Sequence, residues 1–203
     1  MTQQKQSVRK RRAQSGFSLL EVMIAMIVMT VGLLAVILSF ATAINATEWA
    51  QEDLIARHKA LDAMESIYTA RNSQQIPFAS IQNVANGGIF VAGAQPLKCA
   101  GTDGIIGTAD DSNCTAPDTG AACPGGVECL VLPGPDGILG TGDDVPFTLS
   151  NFTRTITFNT VFLPSGAVNT NLIGITITVT YYKDGRWGLS RNYTVNGLIS
   201  SYH

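Results

Sequence analysis

The feature that most constrains this chain is an uncharged, mostly apolar run near its N-terminus. From Val22 to Thr47 there is no Asp, Glu, Lys or Arg, and most positions are Val, Ile, Leu, Met, Phe or Ala. Because about 20 apolar residues cross the hydrocarbon core of a bilayer, this run can span a membrane. Two alternatives are a secretory signal cut near Ala41-Thr42-Ala43 and a simple uncut anchor. The run is long for a secretory signal, and Glu21 near its start is unusual in one.

Charge is distributed unevenly around this run. Residues 1–16 contain five bases and no acid, whereas the rest of the chain has a net side-chain charge of −7. A basic flank beside a membrane span is typical of the cytoplasmic side, so we expect most of the chain on the opposite side. A nucleic-acid-binding arm is the competing interpretation of the bases. The chain shows no basic groove with interleaved aromatic residues, and we predict no nucleic-acid partner.

The residues at the junction are Gly16-Phe-Ser-Leu-Leu-Glu-Val22, preceded by Arg11 and Arg12. This arrangement resembles the class III signal of type IV pilins and pseudopilins. The resemblance implies that a membrane prepilin peptidase cuts between Gly16 and Phe17 and methylates the new N-terminal Phe17. Residues 1–16 would then be a cleaved leader, and residues 17–47 a transmembrane segment that later forms the filament core. The implied location is the bacterial inner membrane for the precursor, and an extracellular or periplasmic filament afterwards.

Glu21 is the acidic residue that this resemblance assigns to assembly. A carboxylate at the end of a membrane-spanning helix is costly unless it has a partner. The amine of Phe17 that cleavage creates is a suitable partner, on a neighbouring subunit already in the filament. The alternative is that Glu21 only reaches the lipid headgroups.

A second helical pattern follows the apolar run. Over residues 48–72, apolar residues recur at three- and four-residue steps between charged ones, which predicts an amphipathic helix. Trp49, Leu54, His58 and Leu61 are among the residues expected on its apolar face. No proline interrupts the chain before Pro77. We therefore predict one helix from Phe17 to about Asn72.

The C-terminal part is predicted to be β-rich. Residues 173–182 alternate between apolar side chains and threonines, the strongest strand signal in the chain. Lys183-Asp184-Gly185 predicts a hairpin turn, after which alternating residues from Trp187 form a returning strand. An earlier strand is predicted at 152–162. The expected fold class is α+β, in which the long N-terminal helix packs on a small antiparallel sheet. Residues 73–203 form the extracytoplasmic head, which includes a loop region with disulfides.

The four cysteines lie close together in the sequence, at Cys99, Cys114, Cys123 and Cys129. Outside the cytosol an even number of cysteines indicates disulfides, here with three possible connectivities. We favour Cys99–Cys114 with Cys123–Cys129, since each bond closes a short loop. A zinc site is the alternative, but the spacings lack paired C-x-x-C motifs.

An eleven-residue acidic repeat lies among these cysteines. Residues 101–111 and 134–144 both read G-x-D-G-I-x-G-T-x-D-D. From Cys99 to Thr153 there are eight acids and no Lys or Arg. Aspartate oxygens beside glycine turns suit Ca²⁺, which is preferred here to Mg²⁺. The alternative is a pair of Asp-Gly turns on an acidic surface. The predicted calcium ligands are the aspartates of both copies: Asp103, Asp110, Asp111, Asp136, Asp143 and Asp144.

These patterns predict a structural protein. Met26–Ala35 resembles the corresponding segment of minor pilins of the PilV kind, which implies a minor subunit of a type IV pilus that assists its assembly or modification. The implied partners are other pilin subunits, bound through the N-terminal helix. The alternatives are a pseudopilin of a type II secretion system and a tip adhesin. The sequence has two histidines and none of the common catalytic motifs, so we predict neither enzymatic activity nor an organic cofactor.

Overall fold

The structure is a computed structural model that describes residues 18–117, 120–182 and 190–202. The chain divides between Thr47 and Glu48 into two compact units, and each is described by itself. Helix α1 spans Leu19–Asn72 and contributes to both. The α+β class predicted from the sequence is confirmed, with one long apolar N-terminal helix, an antiparallel sheet and two disulfides. The predicted helix start at Phe17 lies outside the described residues.

The second unit contains all the strands that the structure describes. Three short 3₁₀ turns also occur, at Phe78–Ser80, Val84–Asn86 and Pro124–Gly126. The strands are β1 Ala94–Pro96, β2 Cys129–Leu132, β3 Val145–Thr148, β4 Phe152–Phe162, β5 Val168–Tyr182 and β6 Ser190–Ser200.

The main sheet is antiparallel, with strand order β1-β4-β5-β6. Its register pairs Ile156 of β4 with Ile177 of β5, and Ile177 with Val195 of β6. The alternation predicted for β5 is confirmed: Ile175, Ile177, Val179 and Tyr181 are buried, whereas the threonines between them are half-buried on the other face. The sheet therefore has one apolar face, which must be covered.

Small residues of α1 cover this face. The buried residues of the helix are Ala56, Ala60, Ala63, Met64, Ile67, Ala70 and Arg71. Their spacing of three and four residues places them on one side of the helix. Because alanine is small, the helix axis can lie close to the strands. The approach is close at Gly197 of β6, where an added Cβ would lie 2.7 Å from the Tyr68 hydroxyl and 3.0 Å from the Met64 sulfur.

The predicted apolar face of α1 is partly wrong. Leu54, His58 and Leu61 are exposed in the structure rather than packed on the sheet. The prediction placed the large apolar side chains on the buried side of the helix. In the structure that side consists mainly of alanines. One side of α1 in the second unit thus retains exposed leucines.

Polar contacts fix both ends of the helix–sheet packing. At one end the Tyr181 hydroxyl donates a hydrogen bond to Asp53 Oδ1 at 3.4 Å. At the other end the Tyr68 hydroxyl donates to the Leu198 carbonyl at 2.9 Å, and Arg71 Nη2 donates to the Ser201 carbonyl at 2.8 Å. The helix cannot slide along the sheet without breaking these bonds.

Strands β1, β2 and β3 were not predicted from the sequence. Strand β1 has three residues, one of them Pro96, and lies at the sheet edge beside β4. Strands β2 and β3 form a separate two-stranded sheet. Strands this short carry too few residues for a visible alternation. The predicted turn at Lys183-Asp184-Gly185 and the start of the returning strand at Trp187 lie outside the described residues.

Candidate functional site

The N-terminal end of α1 holds the described part of the predicted assembly site. Ser18 lies directly before the helix, and Glu21 is in its first turn. The backbone N–H groups of Glu21 and Val22 donate to the Ser18 carbonyl at 3.0 and 3.2 Å. An acid in the first turn is favoured by the helix dipole. Gly16 and Phe17, the predicted cleavage site, lie outside the described residues.

The first unit presents apolar side chains on every side of the helix. All residues from Ser18 to Thr47 are exposed. In the part of the chain that the structure describes, α1 is the one helix long and apolar enough to cross a membrane. A helix that is apolar all round needs lipid or other apolar helices around it. Glu21 is the acid at the start of this surface, so its charge requires a partner wherever the surface is covered.

The acidic repeat forms the second candidate site, and its first copy is a closed loop. Asp103 Oδ1 accepts a hydrogen bond from the Ile105 N–H at 2.8 Å. Asp110 accepts three bonds across the loop: its Oδ2 accepts from the Asp103 N–H at 3.3 Å and the Thr102 hydroxyl at 3.1 Å, and its Oδ1 from the Thr108 hydroxyl at 2.6 Å. Asp111 Oδ2 accepts from the Gly107 N–H at 2.9 Å. All three aspartates therefore hold the backbone of their own loop.

The second copy repeats this geometry. Asp136 accepts from the Ile138 N–H at 2.8 Å, and Asp143 accepts from the Asp136 N–H at 3.3 Å and the Thr141 hydroxyl at 2.6 Å. Asp144 accepts from the Gly140 N–H at 2.6 Å. The eleven residues thus specify one loop conformation, in two different surroundings.

The first residue of each copy must be glycine. A Cβ on Gly101 would collide with the carbonyl oxygen of Asp110, and a Cβ on Gly134 with that of Asp143. The seventh residue, Gly107 or Gly140, has a left-handed φ of 93° or 88°. These glycines explain why the repeat is conserved between its two copies at the backbone-defining positions.

The loops shift the pKa values of their aspartates. The hydrogen bond from Thr108 lowers the pKa of Asp110, and the bond from Thr141 lowers that of Asp143. Burial raises the pKa of Asp111, although the Gly107 N–H and the charge of Arg154 oppose this shift. Thr108 and Thr141 were not among the predicted site residues, although the repeat indicates them because both copies contain a threonine at this position.

The structure does not bring the predicted calcium ligands together as a metal centre. Among the described residues, no group of three or more His, Cys, Asp or Glu side chains is arranged to hold a metal ion. The carboxylates instead accept hydrogen bonds from their own loops. Calcium binding at the six aspartates stays a prediction.

A partly buried charge cluster, which was not predicted from the sequence, joins the helix to the loop region. Lys59 Nζ of α1 lies 2.5 Å from Glu128 Oε2, and Arg154 Nη1 of β4 lies 4.0 Å from Glu128 Oε1. Burial opposes the charge of Lys59, but Glu128 and Asp62 raise its pKa overall. Burial lowers the pKa of Arg154, against the charges of Glu128 and Asp111. Removing Glu128 would deprive the buried Arg154 of a compensating charge.

The disulfides hold the loop region with the connectivity that the sequence favours. Cys99–Cys114 has a Cα–Cα distance of 5.2 Å, and Cys123–Cys129 one of 5.7 Å. Together with Ala116, the cysteines form a small second core. The described cysteines are all paired, as expected for structural rather than reactive thiols.

The comparisons with known proteins bear on the N-terminal site. The prokaryotic N-terminal methylation motif matches residues 11–37, which include Gly16, Phe17 and Glu21. No curated protein and no solved structure is significantly similar to the chain. Pilin-like proteins with this motif are structural and not enzymatic, and the motif implies processing by prepilin peptidase and association with other pilins. The chain thus carries the signal of type IV pilins and pseudopilins, followed by an apolar helix that fits a membrane-anchored precursor.

Proposed function

We propose that this chain is a structural subunit of a type IV pilus, in the class of minor pilins, and that it has no catalytic activity. The observation that carries the proposal is the methylation motif at residues 11–37, placed at the start of the apolar helix. The fully exposed apolar surface from Ser18 to Thr47 supports it, because such a surface suits lipid before assembly and neighbouring helices afterwards.

Glu21 is the residue that we propose selects the neighbour during assembly. The segment from Val22 to Thr47 has no charge of its own, so a base that meets Glu21 must come from elsewhere. Cleavage after Gly16 would supply one in the amine of Phe17. An amine on one subunit and a carboxylate on the next would neutralise each other inside an apolar core, and this would also set the axial step between subunits.

The first test is intact mass and N-terminal sequencing of the protein from its native host. We expect loss of residues 1–16 and a methylated Phe17. Gly16→Leu should leave the leader attached, whereas Ser15→Ala is the matched control and should be processed normally. An intact Met1 in the unaltered protein would overturn the proposal in favour of a simple anchor, and an N-terminus near Glu48 would indicate a secreted domain.

Assembly is tested separately from processing. Glu21→Ala should still be cut and methylated but should be lost from the sheared filament fraction, whereas Glu21→Asp should retain part of the incorporation. Deletion of the gene distinguishes a pilus subunit from a pseudopilin of a type II secretion system. Fewer pili with normal protein secretion supports a minor pilin. Normal pili with impaired secretion would instead identify a pseudopilin.

Calcium binding is a separate prediction for the acidic loops. The thermal unfolding midpoint of the full chain in detergent should be higher in Ca²⁺ than in chelator, because a ligand that binds only the folded state stabilises it. Mg²⁺ at the same concentration is the control. Equal midpoints in all three solutions would mean that the aspartates act only on their own loops.

A further inference from the structure

We propose that a pocket at the end of the β4–β5 hairpin binds a neutral carbohydrate. The inference goes beyond the role of a filament subunit, because it adds a surface that recognises a ligand. It does not depend on processing or assembly, since every residue that lines the pocket lies in the second unit.

The pocket has two walls and a volume of about 350 Å³. One wall comes from the 3₁₀ turns Phe78–Ser80 and Val84–Asn86, and the other from the end of β4 and the start of β5. The hairpin extends beyond β6, which first pairs with β5 at Leu172, and the pocket lies against this extension. Small-molecule sites have volumes of about 300–1,000 Å³. The pocket therefore suits a few sugar units rather than a folded partner.

Two aromatic rings, Phe78 and Phe158, line the pocket and are half-buried. The Phe158 ring packs on the buried Phe90 with the ring centroids 5.0 Å apart, and the Arg71 guanidinium lies 5.9 Å from the Phe78 centroid. These contacts hold both rings in place before a ligand arrives, which lowers the entropic cost of binding. The electron-rich face of an aromatic ring attracts the weakly positive C–H groups on the face of a sugar ring.

The pocket also offers polar side chains that have no other use. Four of them make no hydrogen bond within the described part of the chain: Gln82, Asn86, Thr160 and Thr170. Gln82 is half-buried and the other three are exposed. Each amide carries both donors and an acceptor, and each hydroxyl can donate or accept. The hydroxyl groups around a sugar ring also do both, so these side chains match them without a charge.

The charges around the pocket favour a neutral ligand. No Asp, Glu, Lys or Arg is among the lining residues that the structure describes. Both walls come from stretches of sequence without a charged residue, 72–97 and 155–182. Arg71, which contacts Phe78, is itself buried and donates to the Ser201 carbonyl. An acidic sugar would lose hydration here without gaining a counter-charge, and this is unfavourable.

A peptide is the competing occupant of such a pocket. Peptides are commonly held by pairing with a strand edge or by inserting apolar side chains into a groove. Four unused amide and hydroxyl side chains around two rings favour a ligand that has hydroxyl groups on its rim. We therefore assign the pocket to carbohydrate and let the test decide against the peptide.

The test is binding of the full-length chain, purified in detergent from its native host, to arrays of oligosaccharides and of neutral peptides. We expect binding to at least one neutral oligosaccharide of hexoses or N-acetylhexosamines, and weaker binding to the sialylated form of the same glycan. The proposal is overturned if no neutral glycan binds, if only acidic glycans bind, or if peptides bind and glycans do not.

Matched variants assign the binding to the pocket. Asn86→Ala and Thr170→Val should each weaken the binding of the strongest neutral glycan about two- to tenfold, because each removes a hydrogen bond to the ligand. Asn192→Ala and Thr194→Val make the same changes at exposed residues of β6 that do not line the pocket, and they should leave the affinity unchanged. Equal affinities in all four variants would refute the assigned site.

A second measurement needs no substitution. When the ¹⁵N-labelled chain in micelles is titrated with the same glycan, the side-chain amide signals of Gln82 and Asn86 should shift most. Shifts confined to another surface would contradict the proposal. The N-terminus of the purified chain is sequenced as well. Absent glycan binding with a methylated Phe17 would refute this inference alone, and glycan binding with an uncut Met1 would refute the proposed function alone.

Discussion

The two copies of the acidic repeat have the same conformation but differ in how much they contribute to the stability of the fold. Residues 101–111 and 134–144 share their backbone hydrogen bonds to within a few tenths of an ångström. One copy nevertheless supplies a core residue and the other supplies exposed surface. The internal bonds specify the conformation, and the surface that each copy meets decides what that conformation contributes to stability. Substituting equivalent residues in both copies measures how far their surroundings differ.

The largest difference is expected from the central isoleucines. Ile105→Ala should lower the free energy of unfolding by about 2–5 kcal/mol, because it opens a cavity in the core. Ile138→Ala should change it by less than about 0.5 kcal/mol, since the side chain is exposed. Urea unfolding of the full chain in detergent measures both. Equal losses would mean that the second copy is also buried in the isolated protein.

The next pair is Gly107→Ala and Gly140→Ala. Both residues have a positive φ, so each substitution should cost about 1–2 kcal/mol in backbone strain. At Gly107 the new Cβ would also collide with Ile156 Cδ1, whereas at Gly140 it would meet open space. Overpacking should add about 1–3 kcal/mol to the first variant alone. The same urea measurements give the difference, and equal costs would show that Ile156 can move aside.

Thr108→Val and Thr141→Val separate the hydrogen bonds of the loop from its packing. Each threonine donates to an aspartate at 2.6 Å, but Thr108 is buried and Thr141 is half-buried. Valine keeps the shape and removes the donor. The acceptors Asp110 and Asp143 are both exposed, so water can replace the lost donor in each copy, and the two substitutions should lower the free energy of unfolding slightly and by similar amounts. Hydrogen exchange of the loop amides provides a second measurement, with faster exchange expected in both variants.

Much of the fold could be predicted from the sequence because its signals are long and periodic. The uncharged run predicts the apolar helix, and the alternation in residues 173–182 predicts strand β5 and its buried face. The prediction of which side of α1 packs on the sheet was wrong at several leucines, because the alanines face the sheet instead. Ala60 is buried, for example, whereas Leu61 is exposed. Alanine contributes little to a hydrophobic pattern, although its small size is what allows the close packing.

The candidate sites could be predicted to different degrees for a physical reason. The N-terminal signal is contiguous, so Gly16, Phe17 and Glu21 can be located without a fold. The cluster of Lys59, Glu128 and Arg154 joins three elements far apart in the sequence, and only their packing brings the charges together. The acidic repeat can be recognised in the sequence. The similarity of its two copies, however, does not indicate which residues each copy contacts.

The smallest effect concerns pH, and here the two copies should behave alike at one aspartate. The pKa values of Asp110 and Asp143 are lowered in the fold by Thr108 and Thr141. Each therefore contributes stability above the unfolded pKa of about 3.9, and this contribution is lost as the pH falls through the lower folded value. Asp111 has the opposite sign, since burial raises its pKa. Its favourable contribution is present below about pH 3.9 and is lost as the pH rises through the folded value.

Carboxyl ¹³C titration of the full chain in micelles should give midpoints below the unfolded value for Asp110 and Asp143 and above it for Asp111. Thr141→Val should raise the midpoint of Asp143 and leave that of Asp110 unchanged. A shift at both would mean that the copies are coupled, which would contradict the treatment of each loop as a self-contained unit.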